Sequence, residues 1–173
     1  MRIKHSVAGI FPLITIIISI ITTYPEAREN SSNLYKKGAV LAMKGDIEGA
    51  IEIFKKVISI SPYYALGHYG LGKAYLHKGG MVDNAIKHLK MSVNLDDKLS
   101  RGYFYLGIGL MFKRQYVHSL HAFDNAVKND NDLIEALYNI GVIYDIMNSR
   151  LKAKKYFDLY NYKKLKGDKD IIF

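Results

Sequence analysis

Apolar positions follow two different patterns along this chain. From Val7 to Ile21 no residue is charged, and the apolar side chains succeed one another with no polar face between them, which is the pattern of a segment in wholly apolar surroundings. From Leu34 onward apolar and small residues recur at helical spacing instead, and sets such as Leu34, Gly38, Leu41 and Tyr103, Gly107, Leu110 each fall on one helix face. Between the two patterns lies Pro25 with the polar run Glu26 to Ser32, so the sequence divides into an N-terminal hydrophobic helix over 1–24, a linker over 25–30 and a helical region beyond.

Arg2 and Lys4 precede the uncharged stretch, and Glu26, Arg28 and Glu29 follow it. A basic start and an apolar core define a targeting segment, and the charge bias places the N-terminus in the cytoplasm and the rest of the chain outside, as an exported, periplasmic or otherwise extracytoplasmic protein. Two fates stay open. Residues 3–24 approach the roughly 20 that span a bilayer, as an uncleaved anchor would. A removed signal peptide is the alternative, although cutting after Ala27 places Pro25, and cutting after Thr23 places Ile21, where a small residue is preferred.

The helical region repeats. Gly38, Gly72, Gly107 and Gly141 stand 34, 35 and 34 residues apart; Ala50, Ala85, Ser119 and Ala153, and likewise Phe54, Leu89, Phe123 and Phe157, step by 35, 34 and 34. The extra residue therefore falls between Gly72 and Ala85, where Lys78, Gly79, Gly80 and Met81 form a turn that tolerates insertion. Three residues after each glycine stands a large residue (Leu41, Tyr75, Leu110, Tyr144), and four before it stand Leu34, His68, Tyr103 and Leu137. Glycine within a helix costs about 1 kcal/mol against alanine. Four of them in register are accounted for if antiparallel helices must approach closely there, with bulky neighbours filling the flanking gaps.

These residues resemble the tetratricopeptide repeat, a 34-residue helix-turn-helix unit. Pro62 closes the first repeat where the family commonly has proline; Asp97, Asn131 and Leu165 hold the comparable later places, and His68 and Lys37 depart from usually apolar ones. The resemblance implies an all-α, right-handed superhelical solenoid of four repeats over 31–167 (31–64, 65–99, 100–133 and 134–167), followed by a tail over 168–173. It also implies that the first helix of each hairpin lines a concave groove. The fifth residues of the repeats, Tyr35, Tyr69, Phe104 and Tyr138, would face into it, with Ala39, Lys73, Ile108 and Val142 one turn on, Arg101 at a second position, and Met43, Leu76, His77, Met111, Phe112 and Ile146 near the helix ends. That gives an aromatic, largely apolar groove suited to a partner segment. The same aromatics could instead pack between neighbouring first helices. Family members that grip acidic chaperone tails use a basic and amide clamp, but here Tyr35, Ala39, Gly70 and Tyr105 occupy its places, and only Arg101 has the right charge.

Composition narrows the chemistry. There is no cysteine, which removes disulfides, thiolate metal sites and a nucleophilic thiol. The repeated glycines stand alone inside helices and form no phosphate loop. His118 and His121 are three apart and lack a further ligand in sequence, and Asn129 to Asp132 has neither the glycine nor the closing glutamate of a calcium loop. No cofactor is expected. Arg150 to Asp170 holds eight basic residues against three acidic, a local balance of +5, interleaved with Tyr156, Tyr160 and Tyr162. Such a segment could touch an anionic membrane surface, although a terminal repeat needs a soluble outer face in any case; nucleic acid is not expected. The reading is a non-enzymatic scaffold that binds a protein partner in an envelope or secretion assembly. The alternatives are a chaperone-like holder of apolar segments of exported proteins, and an enzyme subunit with an unrecognised site.

Overall fold

The computed structural model describes residues 29–170; the hydrophobic segment 1–24, the linker as far as Arg28 and the last three residues lie outside them. Eight helices succeed one another: α1 (29–43), α2 (Ile47–Ile60), α3 (Ala65–Lys78), α4 (Val82–Leu95), α5 (Ser100–Phe112), α6 (Tyr116–Asn129), α7 (Ile134–Ile146) and α8 (Arg150–Asp170). From α2 onward each packs on its neighbours in sequence, and α3 also touches α5; α1 lies on α2 through Gly38 and Tyr35 against Phe54, so four hairpins stack in chain order. Two boundaries differ from the sequence reading. Glu29 and Asn30 are already helical, because the turn that follows them is fixed: buried Ser31 donates through Oγ to Ser61 Oγ at 2.8 Å. At the other end α8 continues through Asp170 and takes in the first residues assigned to the tail.

The helices within a hairpin are held together at the repeated glycines. A Cβ at Gly38 would lie 2.8 Å from the Phe54 ring, at Gly72 2.6 Å from Leu89, at Gly107 2.7 Å from Phe123 and at Gly141 2.7 Å from Phe157. The two series found in the sequence are thus the two sides of one contact: the first helix supplies the gap and the second the side chain that fills it. Ala50, Ala85 and Ser119 are wholly buried beside these contacts, and Ala153 nearly so. Ser119 satisfies its hydroxyl by donating to Gly107 O at 2.7 Å.

A residue at positive φ turns each first helix into its second: Gly45, Gly79 with Gly80, Arg114 and Asn148. The one-residue insertion sits at the paired glycines, whose missing side chains make the longer turn inexpensive. Asp46 additionally caps α2 by accepting from Gly49 N at 2.9 Å. Between hairpins, Asn129 Nδ2 donates to Asp97 O at 2.7 Å and Lys163 Nζ to Asn131 O at 2.8 Å, so a second-helix side chain fastens the preceding inter-repeat turn.

Buried apolar residues form two clusters, one running from Ala50 and Phe54 through Leu89 to Leu106 and Leu110, the other centred on Phe123, Ile140 and Ile143. His68 occupies an apolar place because it has polar partners: Nε2 donates to Pro62 O at 2.9 Å, which leaves Nδ1 to accept from His88 Nδ1 at 3.1 Å. Lys37 simply lies exposed on α1.

Candidate functional site

The fifth-position aromatics sit where the glycine contacts place them. Because each glycine draws a second-helix ring up to the first helix, Tyr35 packs on Phe54 (5.6 Å between centroids), Phe104 on Phe123 (5.7 Å) and Tyr138 on Phe157 (5.6 Å). The second repeat has Leu89 in place of that ring, and Tyr69 turns its edge to Tyr105 at 5.8 Å instead. These side chains therefore serve the core as well as the surface. Tyr69 is only 7% exposed, Tyr35 and Phe104 are half-buried, and Tyr138 is 48% exposed. An open aromatic rail of four equal members is not what forms, since a ring packed on the ring beneath it cannot also stand free.

The exposed apolar side chains lie further along the same helices. Met43 (88% exposed), Phe112 (63%) and Ile146 (51%) hold one repeat position, and His77 holds it in the second repeat. Ile108 and Met111 are half-buried against the second core cluster, and Val142 is half-buried on α7.

Charge enters this face in its N-terminal half. Lys73 Nζ lies 4.9 Å from the centroid of the Tyr105 ring, within cation–π range. Exposed Arg101 is near enough to Tyr35 and Tyr69 to favour their ionised forms, yet burial first, and neighbouring phenols second, raise both pKa values above the usual tyrosine range. Both hydroxyls are therefore neutral donors and acceptors at ordinary pH. Tyr35, Tyr69 and Lys73 come together around a pocket of about 310 Å3 between α1 and α3, which also touches Ala39, Phe54 and Gly70. Phe54 and Gly70 are both buried; Gly70 holds one of the clamp places read from the sequence, and Phe54 is the lining residue that was not foreseen at this face. Its signal is the facing set of small residues, Ala39 and Ala42 opposite Gly70 and Ala74.

The other chemistry-bearing residues are dispersed. His118 and His121 are exposed and border a shallower pocket of about 220 Å3 with Lys90 and Tyr103. Among the described residues no three His, Asp or Glu side chains are placed to share a metal ion. The lysines of α8 are partly engaged close to home: Lys152 lies over Tyr144, Lys164 over Tyr160, and Lys154 pairs with Asp158 at 2.6 Å, while Leu151, Tyr162 and Leu165 are exposed. Among the described residues no helix is long and apolar enough to cross a membrane.

Comparison with known proteins agrees with this geometry. A family model described as TPR repeat matches residues 38–79, and one described as tetratricopeptide repeat matches 134–160. Uncharacterized protein ycf37 of Guillardia theta is 33% identical over 53% of this chain and 52% of its own length, so the chain spans about half of that relative. An uncharacterized protein of Methanocaldococcus jannaschii is 33% identical over 37% of this chain and 86% of its own length. Among solved structures, a crystal structure of MamA covers 96% of this chain and 99% of its own with a TM-score of 0.75 at 23% identity. The first TPR of Spaghetti (RPAP3), bound to the HSP90 peptide SRMEEVD, covers 68% of this chain and 93% of its own with a TM-score of 0.65 at 16% identity. At these identities the structural likeness is one of fold.

Proposed function

Because this chain belongs to the tetratricopeptide-repeat proteins, we propose that it is a non-catalytic adaptor that holds a segment of a partner protein against the face made by α1, α3, α5 and α7. The observation that carries this reading is the exposed apolar row along that face, Met43, Phe112 and Ile146, which the internal packing of the hairpins does not require, with the half-exposed Tyr138 ring beside it. Side chains of this kind in a row act as anchors for a partner. A structural neighbour, the first TPR of RPAP3, holds an HSP90 peptide; the clamp positions of this chain differ from those needed for such a tail, so a terminal carboxylate is not the anchor here.

The adaptor works outside the cytoplasmic membrane, within an envelope or secretion-related assembly. Support comes from the uncharged stretch Val7 to Ile21 with Arg2 and Lys4 before it. The basic, exposed outer side of α8 is suited to lie near an anionic bilayer surface. A second reading, a holder of apolar segments of exported proteins, draws on the same exposed row.

The test is to crosslink the native protein in its membrane fraction and identify what is captured, then repeat with Phe112, Tyr138 and Ile146 all changed to serine. An adaptor yields one partner in fixed ratio, lost in the triple variant. Unchanged capture overturns the groove reading, and a heterogeneous set of unfolded clients favours the holder.

A further inference from the structure

The pocket between α1 and α3 has a shape that the other half of the molecule does not repeat. Its floor is the buried Phe54 ring, which lines the pocket because a side chain is missing above it: a Cβ on Gly70 would lie 2.6 to 2.8 Å from three carbons of that ring. Its walls are small, with Ala39 and Ala42 on α1 and Ala74 on α3. At the corresponding places of α5 and α7 stand Ile108, Met111, Asn139 and Ile143, and Ile108, Met111 and Ile143 belong to the packing of the second core cluster. The small residues of the first two repeats thus open a cavity of about 310 Å3, at the low end of small-ligand pockets and of a size for one large side chain with part of its backbone.

The rim is chemically one-sided. Lys73 and His77 border the pocket, with no carboxylate among its lining residues. Arg101 adds a second fixed cation beside Tyr35 and Tyr69. The Lys73 ammonium is held at the mouth by the Tyr105 ring, while the neutral Tyr35 and Tyr69 hydroxyls can donate or accept. An aromatic floor under a cationic rim selects an apolar group with negative charge close by, since fixed cations reject a basic neighbour and a polar anchor would leave the floor unsatisfied.

Building on the groove reading, we propose that this pocket takes a single large apolar side chain from an acidic, extended segment of the partner, with an Asp or Glu one or two residues away meeting Lys73. The pocket fixes which stretch of the partner is held, and the exposed row on α5 and α7 holds the remainder.

Full-length protein is titrated by fluorescence anisotropy with a labelled seven-residue peptide carrying one phenylalanine between two glutamates. Matched peptides replace the phenylalanine with alanine, or both glutamates with lysine. The acidic aromatic peptide binds at least tenfold tighter than either. Ala39→Phe, which fills the cavity from a half-buried position, abolishes its binding; Lys73→Glu reverses the preference towards the lysine-flanked peptide; Leu151→Ser, on the exposed side of α8, changes nothing. Thermal unfolding of each variant, recorded alongside, separates loss of the pocket from loss of the fold. Equal affinity for the three peptides, or full binding by a folded Ala39→Phe protein, overturns the proposal. Either result leaves the groove reading to stand or fall on the Phe112, Tyr138 and Ile146 variant.

Discussion

At each repeated glycine the available space is set by one neighbouring side chain, and that neighbour decides what a substitution costs. An alanine at Gly107 would place its Cβ within 2.8 Å of three Phe123 ring carbons, and Phe123 is wholly buried with no room to withdraw. Overpacking of this kind costs about 1–3 kcal/mol, against a helix-propensity gain of about 1. Gly107→Ala is therefore expected to be destabilising by chemical denaturation, and Gly107→Val more so. Arg114 offers the opposite case. It holds φ near +56° in the turn between α5 and α6, a conformation that suits glycine. Arg114→Gly is expected to raise stability by about 0.5–1 kcal/mol, read as a higher denaturant midpoint at unchanged slope. Glycine spacing was legible in the sequence because the small residue and its filler recur together. Tyr69 was not, since its burial depends on Leu89 standing where the other repeats carry phenylalanine, and only packing reveals that Tyr105 takes the vacated role.

Within an element pair, the histidines of the second hairpin make stability depend on pH. His88 is held down to about 4, by burial first, then by His68 and Lys87, and its ring also lies beside Tyr75. In the bond between the two rings His88 Nδ1 is the donor, because His68 Nε2 is already committed to Pro62 O and leaves Nδ1 to accept; what disfavours a charged His88 is its burial beside the second ring. A folded pKa below the unfolded value of 6.5 means that the unfolded chain binds the proton first. The His88 contribution is thus fully present above about pH 6.5 and is lost as pH falls from there towards 4. Urea midpoints measured between pH 7 and pH 5 are expected to fall steadily, and His88→Gln, which keeps a donor without the titration, is expected to flatten the decline; equal slopes in the two proteins would contradict the assignment. In the sequence His68 showed only as an exception to an apolar position. Its partner lies twenty residues away on another helix, and nothing in the spacing of the repeats marks His88 as the residue that completes the pair.

At the scale of the whole molecule the array is supported unevenly. Lys78 pairs with Glu48 at 3.2 Å and Lys113 with Asp83 at 2.9 Å, so the ion pair repeats from one hairpin to the next; at the following step the places are held by Met147 and Val117, which cannot pair. Such exposed pairs each contribute little, but their loss coincides with a division of the core, one cluster serving the first hairpins and another the last two. In a stacked array, where each unit is stabilised only by its neighbours, the end with fewer contacts opens first. Amides of α8 are therefore expected to exchange with solvent sooner than those of α3 to α5. Phe157→Ala, which empties the contact at Gly141, is expected to cost about 3 kcal/mol, the low end for such a change because the ring is only half-buried, and to raise exchange in α7 and α8 while leaving α3 and α4 protected. Uniform acceleration across all hairpins would mean that the array melts as one unit. The distinction bears on function: if the α7–α8 end opens independently, the apolar row at Tyr138 and Ile146 can be ordered by the partner it holds, whereas the pocket between α1 and α3 stays formed in advance of binding.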